Sequence, residues 1–260
     1  MGAICGDIIG SAYEFNPTKQ YKFSLFTKKS TYTDDTVMTC AVADWLMNGG
    51  KLPEIMQKWG RKYMGAGYGP MFYRWIRSEC PKPYNSFGNG SAMRVSPVGW
   101  FANSLEECLR LAQESAEVTH NHPEGIKGAQ ATASAIFLAK NGANKDEIKG
   151  YISEKFGYDL TRKYIAIKPG YRFDVTCQGS VPESMICFLE SKDYESAIRL
   201  AVSMGGDADT MGAITGGIAA AYYKEIPDKI AAPCLDLLPE EIYEIVDDFQ
   251  KNVRVFFEKG

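Results

Sequence analysis

The sequence predicts a compact all-α protein, and three observations carry that expectation. Helix-boundary signals followed by apolar residues at helical spacing recur along most of the chain. Clean period-two alternation is scarce; residues 165–175 could hold a short extended piece, too little for a sheet. The composition, 45% hydrophobic and 23% charged over 260 residues, is that of a chain with a substantial core. The length suits one continuous domain over residues 1–260.

The elements can be justified in order. The N-terminal run containing Gly6, Gly10, Ser11 and Ala12 is a small-residue helix. In that helix, read as running from Gly6 through Glu14, Asp7 and Glu14 stand seven positions, two turns, apart and so share a face. Thr33, Asp34, Asp35 and Thr36 directly precede Val37, Met38, Cys40, Ala41, Trp45 and Leu46, a second helix. Segments 65–70 and 81–90, rich in Gly, Pro, Tyr and Asn, read as ordered surface loops, where binding residues concentrate. Ser104 and Glu107 form a capping-box pattern before Cys108, Leu109, Leu111 and Ala112. Pro123 opens a helix whose apolar face holds Ala129, Ala133, Ile136 and Phe137 and which stops near Asn141 and Gly142. Asn144 and Glu147 start another, and Gly157 ends it. Asp193 starts a further helix, and Pro239 opens the last, with Ile242, Ile245, Val246, Phe249 and Val253 on one side.

Composition also excludes functions. Lys plus Arg total 29 against 32 Asp plus Glu, a formal net charge of −3, so the overall basic excess of a dedicated nucleic-acid binder is missing. The seven cysteines form no CxxC pair, and their odd, scattered distribution fits a reducing cytoplasm better than a disulfide scaffold. The first residues lack a basic region and meet Asp7 early, unlike a signal peptide. No apolar run reaches the roughly 18 residues of a membrane span.

Two acidic motifs stand out: Thr33-Asp34-Asp35-Thr36, and Asp207-Ala208-Asp209-Thr210 after a Gly-Gly pair. Each sits at the start of a helix. Thr and Asp are ordinary N-cap residues, and acids in a first turn complement the helix dipole. A cap needs one acceptor oxygen, however, and each motif offers three. The glycines around the second motif, Gly212, Gly216 and Gly217 among them, allow close packing that would draw the acids inward. Carboxylates gathered in one interior place must protonate or bind cations. Hard oxygen ligands suit Mg²⁺ or Mn²⁺, and this set is large enough for two ions about 3.5–4 Å apart. The joining of motifs about 170 residues apart is a hypothesis at this point.

Other residues carry possible chemistry. Glu14 could serve as a base or position water beside the metals. Ser86, Phe87, Gly88, Asn89, Gly90 and Ser91 form a Gly-rich loop whose amides could approach an anion; it is neither a Walker A sequence nor GxGxxG. His120 and His122 are the two histidines. No Cys or Glu at suitable spacing supports zinc there, whereas His120 could donate to a phosphate.

In their order along the chain, GDIIGSAYE, TDDT, SFGNGSAMR, TH before a helix, and GGDADTMGAI resemble the ADP-ribosylglycohydrolase family over residues 2 to about 223. The resemblance implies an orthogonal all-helical fold with two Mg²⁺ or Mn²⁺ ions. It implies Thr33, Asp34 and Asp35 as one ligand group and Asp207, Asp209 and Thr210 as the other. Glu14 would lie near the metals and the scissile bond, with Glu14 and Asp35 as the catalytic candidates. Ser86, Gly88, Asn89, Gly90 and Ser91 would contact the diphosphate side, Phe87 would stack on adenine, and His120 would lie near the phosphates. The expected reaction is hydrolysis at C1 of the distal ribose in ADP-ribosyl conjugates. The expected partners are ADP-ribose, or an ADP-ribosylated protein or small molecule, with no membrane and with nucleic acid only as a modified substrate. The competing expectations are an ADP-ribose binder that blocks an ADP-ribosyltransferase without turnover, and two-metal phosphoester hydrolysis.

Overall fold

A computed structural model describes the backbone of residues 1–257 as fifteen helices, with no strand among them. In order they are α1 (Gly2–Ser11), α2 (Asp34–Asn48), α3 (Leu52–Lys62), α4 (Pro70–Arg77), α5 (Gly90–Met93), α6 (Ser96–Phe101), α7 (Leu105–Glu117) and α8 (Pro123–Lys140). There follow α9 (Lys145–Phe156), α10 (Tyr164–Ile167), α11 (Cys177–Glu190), α12 (Tyr194–Ser203), α13 (Ala208–Tyr223), α14 (Asp228–Asp236) and α15 (Glu240–Phe257). The expected all-α orthogonal bundle is the fold observed. Among the described residues no helix is long and apolar enough to cross a membrane.

Local chemistry explains most boundaries. Asn144 caps α9 in a full capping box with Glu147, and Gly157 ends it at φ +69, a conformation that glycine adopts without steric cost. Pro123 occupies the first turn of α8, where its missing N–H costs nothing. Ser104 accepts from Glu107 N at the start of α7, but Glu107 reaches back to Asn103 N rather than to the cap residue, so the expected box is only half formed. Segment 165–175 holds the end of α10 rather than a strand; the extended backbone beside it makes one antiparallel bridge, Thr176 to Gly88.

The frame of the molecule is the antiparallel pair α1 and α13. A Cβ on Gly6 would lie 2.0 Å from Gly212 O, and one on Gly10 would lie 2.2 Å from Ala208 O. The two backbones touch, as small residues spaced four apart permit. This packing sets the C-terminal end of α1 against the N-terminal end of α13, where the second acidic motif begins. Around the pair runs one apolar cluster from Ile4 to Val253, with Ile242, Val246, Phe249 and Val253 of α15 buried on the expected face.

Candidate active site

Asp7 organises the first acidic motif. It is fully buried in α1, and its carboxylate accepts from Thr33 N (3.0 Å), Thr33 Oγ1 (2.8 Å), Thr36 N (3.1 Å) and Thr36 Oγ1. These bonds pin the start of α2 to α1. Burial nevertheless pushes the Asp7 carboxyl up to about 6, against the pull of its threonine partners. Asp7 and Glu14 do not share a helix face. Helix α1 ends at Ser11, Tyr13 N closes a tight turn onto Gly10 O, and Asn16-Pro17 disfavours further helix. Glu14 therefore stands on the loop after the helix, half-buried.

The two acidic motifs meet. Thr210 Oγ1 lies 3.3 Å from Asp35 Oδ2, across 175 positions of sequence. Glu14, Asp207 and Asp209 each offer an oxygen within 4.8 Å of the others. Asp207 stands at the N-cap position of α13 but makes no cap bond with its side chain; its Oδ2 accepts instead from Asn89 Nδ2 at 2.7 Å. The loop 86–91 thus borders the acids. Thr33 does cap α2, accepting from Asp35 N, and its hydroxyl also reaches Asp7 and Asp35.

The electrostatics follow from this crowding. Burial raises the carboxyls of Asp34, Asp35 and Asp209 well above the ordinary range, and neighbouring carboxylates raise them further. Glu14 is pushed up to about 8 by burial and by the charge of Asp209. Asp207 is pushed only to about 6, because its hydrogen bonds oppose burial. Asp35 Oδ1 is buried with no hydrogen-bond partner. An orphaned acceptor among carboxylates that resist ionisation is the chemistry of a hard-cation site, so these residues fit a divalent metal.

The remaining predicted residues are placed around this centre. Ser86 is buried and accepts from Gly88 N. Phe87 is 44% exposed, its ring 5.3 Å from that of His122. Gly88 and Asn89 are held by residues 175–177: Asn89 N donates to Val175 O at 2.7 Å, and Cys177 N to Phe87 O. Gly90 opens α5. Ser91 is fully buried and its hydroxyl donates to Gly125 O, so it anchors the loop to α8. His120 is buried beneath the loop, its Nε2 placed 3.1 Å from where a Cβ on Gly90 would stand.

Two contributors had no signal in the sequence beyond an ordinary charge or polar group. Asp7 reads there as one more acid. Lys19 donates through Nζ to Lys168 O (2.8 Å), Tyr171 O (2.9 Å) and Met204 O, tying the loop that carries Glu14 to the segment just before Asp207. A separate cavity of about 700 Å³, lined by residues such as Ala3, Trp100 and Ala220, lies at the other end of the α1–α13 pair and takes no part here.

Fold and site together define an all-helical enzyme with a carboxylate centre beside a Gly-rich loop. The family model for ADP-ribosylglycohydrolase matches residues 1–256, and the chain belongs to that family. Human ADP-ribosylhydrolase ARH3 is 24% identical over a 343-residue alignment that covers 100% of this chain and 92% of the relative. ADP-ribosylarginine hydrolase Tri1 of Pseudomonas putida (strain GB-1) is 26% identical, with 86% of this chain and 69% of the relative covered. A solved structure described as an ADP-ribosylglycohydrolase-related protein complex superposes with a TM-score of 0.69 at 25% identity, covering 94% of this chain and 92% of the other. The protein is a glycohydrolase of this kind.

Proposed function

We propose that the protein hydrolyses the bond at C1 of the distal ribose in ADP-ribosyl conjugates and releases ADP-ribose. The observation that carries this reading is the convergence of Asp35 with Thr210, and of Glu14 with Asp207 and Asp209, beside the loop 86–91. Thr33, Asp34, Asp35, Asp207, Asp209 and Thr210 would hold two Mg²⁺ or Mn²⁺ ions, which when bound orient the ribose hydroxyls and offset the carboxylate charge. The chain's own groups do the rest. The loop 86–91 takes the diphosphate through the amides of Phe87, Gly90 and Ser91, since those of Ser86, Gly88 and Asn89 are bonded within the protein, and the exposed Phe87 ring offers a stacking face for adenine. Water attacks C1 as the C1–acceptor bond breaks and its electron pair leaves with the acceptor, through an oxocarbenium-like transition state. Glu14 takes the proton of that water; it is the acid of the group that stands on a loop within reach of solvent. Asp35, buried and held by Thr33 and Thr210, stabilises the developing positive charge.

One apolar cluster from Ile4 to Val253 supports a single domain, and seven free thiols support a reducing, cytoplasmic setting. Incubation with ADP-ribosyl-arginine and ADP-ribosyl-serine in the presence of Mg²⁺ or Mn²⁺, followed by chromatography, tests the proposal. Free ADP-ribose is the expected product from at least one conjugate. Retention of ADP-ribose with no release from either would instead indicate a binder without turnover.

A further inference from the structure

Arg94 is 1% exposed, yet no carboxylate pairs with it among the described residues. Its Nη2 donates to Ser115 O (2.7 Å) and to Thr119 Oγ1 (3.0 Å), while its Nε is buried without a partner. A buried guanidinium held by neutral oxygens is expensive and calls for a reason. Thr119 Oγ1 in turn lies 2.7 Å from His120 Nδ1. No hydrogen bond within the described protein reaches His120 Nε2, and that atom faces the loop 86–91. A Cβ at residue 90 would stand 3.1 Å from it, and one at residue 88 would stand 3.6 Å from it, so the two glycines leave it uncovered.

The donor count fixes the proton. A guanidinium can only donate, so the bond from Arg94 occupies a lone pair of Thr119 Oγ1. The hydroxyl hydrogen must then find its own acceptor, and His120 Nδ1 is the one in reach. If Nδ1 carried the proton, two donors would converge on Thr119 Oγ1 and its hydrogen would be stranded in a buried place. Nδ1 therefore accepts, and Nε2 bears the hydrogen. Burial and the positive charge of Arg94 both disfavour a second proton on the ring.

We propose that Arg94 and Thr119 are positioning residues that hold His120 as a neutral Nε2–H donor, aimed at an anionic phosphate oxygen of a ligand lying on the loop 86–91. The proposal rests on the function proposed above for the nature of that ligand; the proton assignment does not. It also accounts for a cation placed behind an anion site without contacting the anion.

The test is a ¹⁵N-imidazole spectrum of the ligand-free protein near neutral pH. With two histidines in the chain, a His122→Asn variant assigns both rings, and asparagine keeps the cap acceptor that His122 supplies to Glu124 N. The expected His120 pattern is a pyridine-type Nδ1 and a pyrrole-type Nε2. Thr119→Val, close to isosteric, should mix the tautomers and weaken ADP-ribose binding roughly tenfold, the loss of about one hydrogen bond to a charged group. Thr119→Ser should restore both readouts. A protonated Nδ1 in the wild type, or a Thr119→Val protein with unchanged tautomer and unchanged ADP-ribose affinity, would overturn the proposal. The wild-type spectrum decides even where a variant fails to fold. A wild type with the expected tautomer that does not bind ADP-ribose would sink the functional reading and spare the proton assignment.

Discussion

Replacing Gly6 by alanine should separate the two helices on which the site is built. The new Cβ would stand 2.0 Å from Gly212 O, 2.3 Å from Gly212 C and 2.9 Å from Ala213 N, all backbone atoms that cannot rotate away. Ordinary contact begins near 3.4 Å, so 3.4 − 2.0 leaves 1.4 Å to be found by moving α1 away from α13. Overpacking of this kind costs about 1–3 kcal/mol where side chains can adjust, and here they cannot, so the upper end or beyond is expected. The same shift carries Asp7 and Glu14 away from Asp209. A misplacement of about 1 Å costs on the order of 10²-fold in rate. The assay pairs thermal unfolding with turnover of an ADP-ribosyl conjugate, and Gly150→Ala in α9 is the control. Nothing lies within 4 Å of a Cβ there, and alanine in a helix interior should gain about 0.5–1 kcal/mol. A Gly6→Ala protein with wild-type unfolding temperature and turnover would refute the claim that backbone contact between α1 and α13 sets the site.

Other outcomes follow from the same geometry. Asp34→Ala and Asp209→Ala should each remove most activity, at least 10²-fold in kcat/KM, while the protein stays folded; near-normal turnover in either would break the ligand assignment. Without divalent ions, stability should fall as pH rises from about 5 to 8. The carboxyls of Asp7 and Asp207 (about 6) and Glu14 (about 8) are raised in the folded chain, so there the native state holds more protons than the unfolded one. Thermal melts across that range, with and without Mn²⁺, check this, and the metal should recover stability most at the high end. Lys19→Met should lower kcat by about tenfold or more with a smaller fall in unfolding temperature, because it frees the Glu14 loop from three carbonyls at a partly exposed position. An unchanged kcat would show that the loop holds itself.

The legible parts of the sequence were those written in local chemistry. Asn144 with Glu147, Gly157, Pro123 and Asp193 mark helix ends because their side chains or ring act within a few residues. The meeting of the two acidic motifs could be posed as a hypothesis because surplus carboxylates beside small residues need an explanation, but nothing in the sequence paired the glycines of α1 with those of α13. The rest depends on partners that leave no mark in sequence. Lys19 is satisfied by backbone carbonyls up to 185 positions away, which any residue type could supply. Asp7 binds threonines 26 and 29 positions on, so in the sequence it was one more acid beside Glu14, with nothing to mark it as the pin that holds α2. Ser91, expected at the ligand, turns inward to Gly125 O because α8 packs against the loop, a contact no spacing rule foresees.

The account turns on whether the aspartates of α2 and α13 grip the same ions. Calorimetric titration of the metal-free protein with Mn²⁺ measures this directly, comparing the wild type with Asp35→Asn and Asp209→Asn. The account predicts two ions per chain in the wild type and weakened binding in both variants, although the residues begin helices far apart in sequence. No Mn²⁺ binding by the wild type, or loss of affinity confined to one of the two variants, would contradict it.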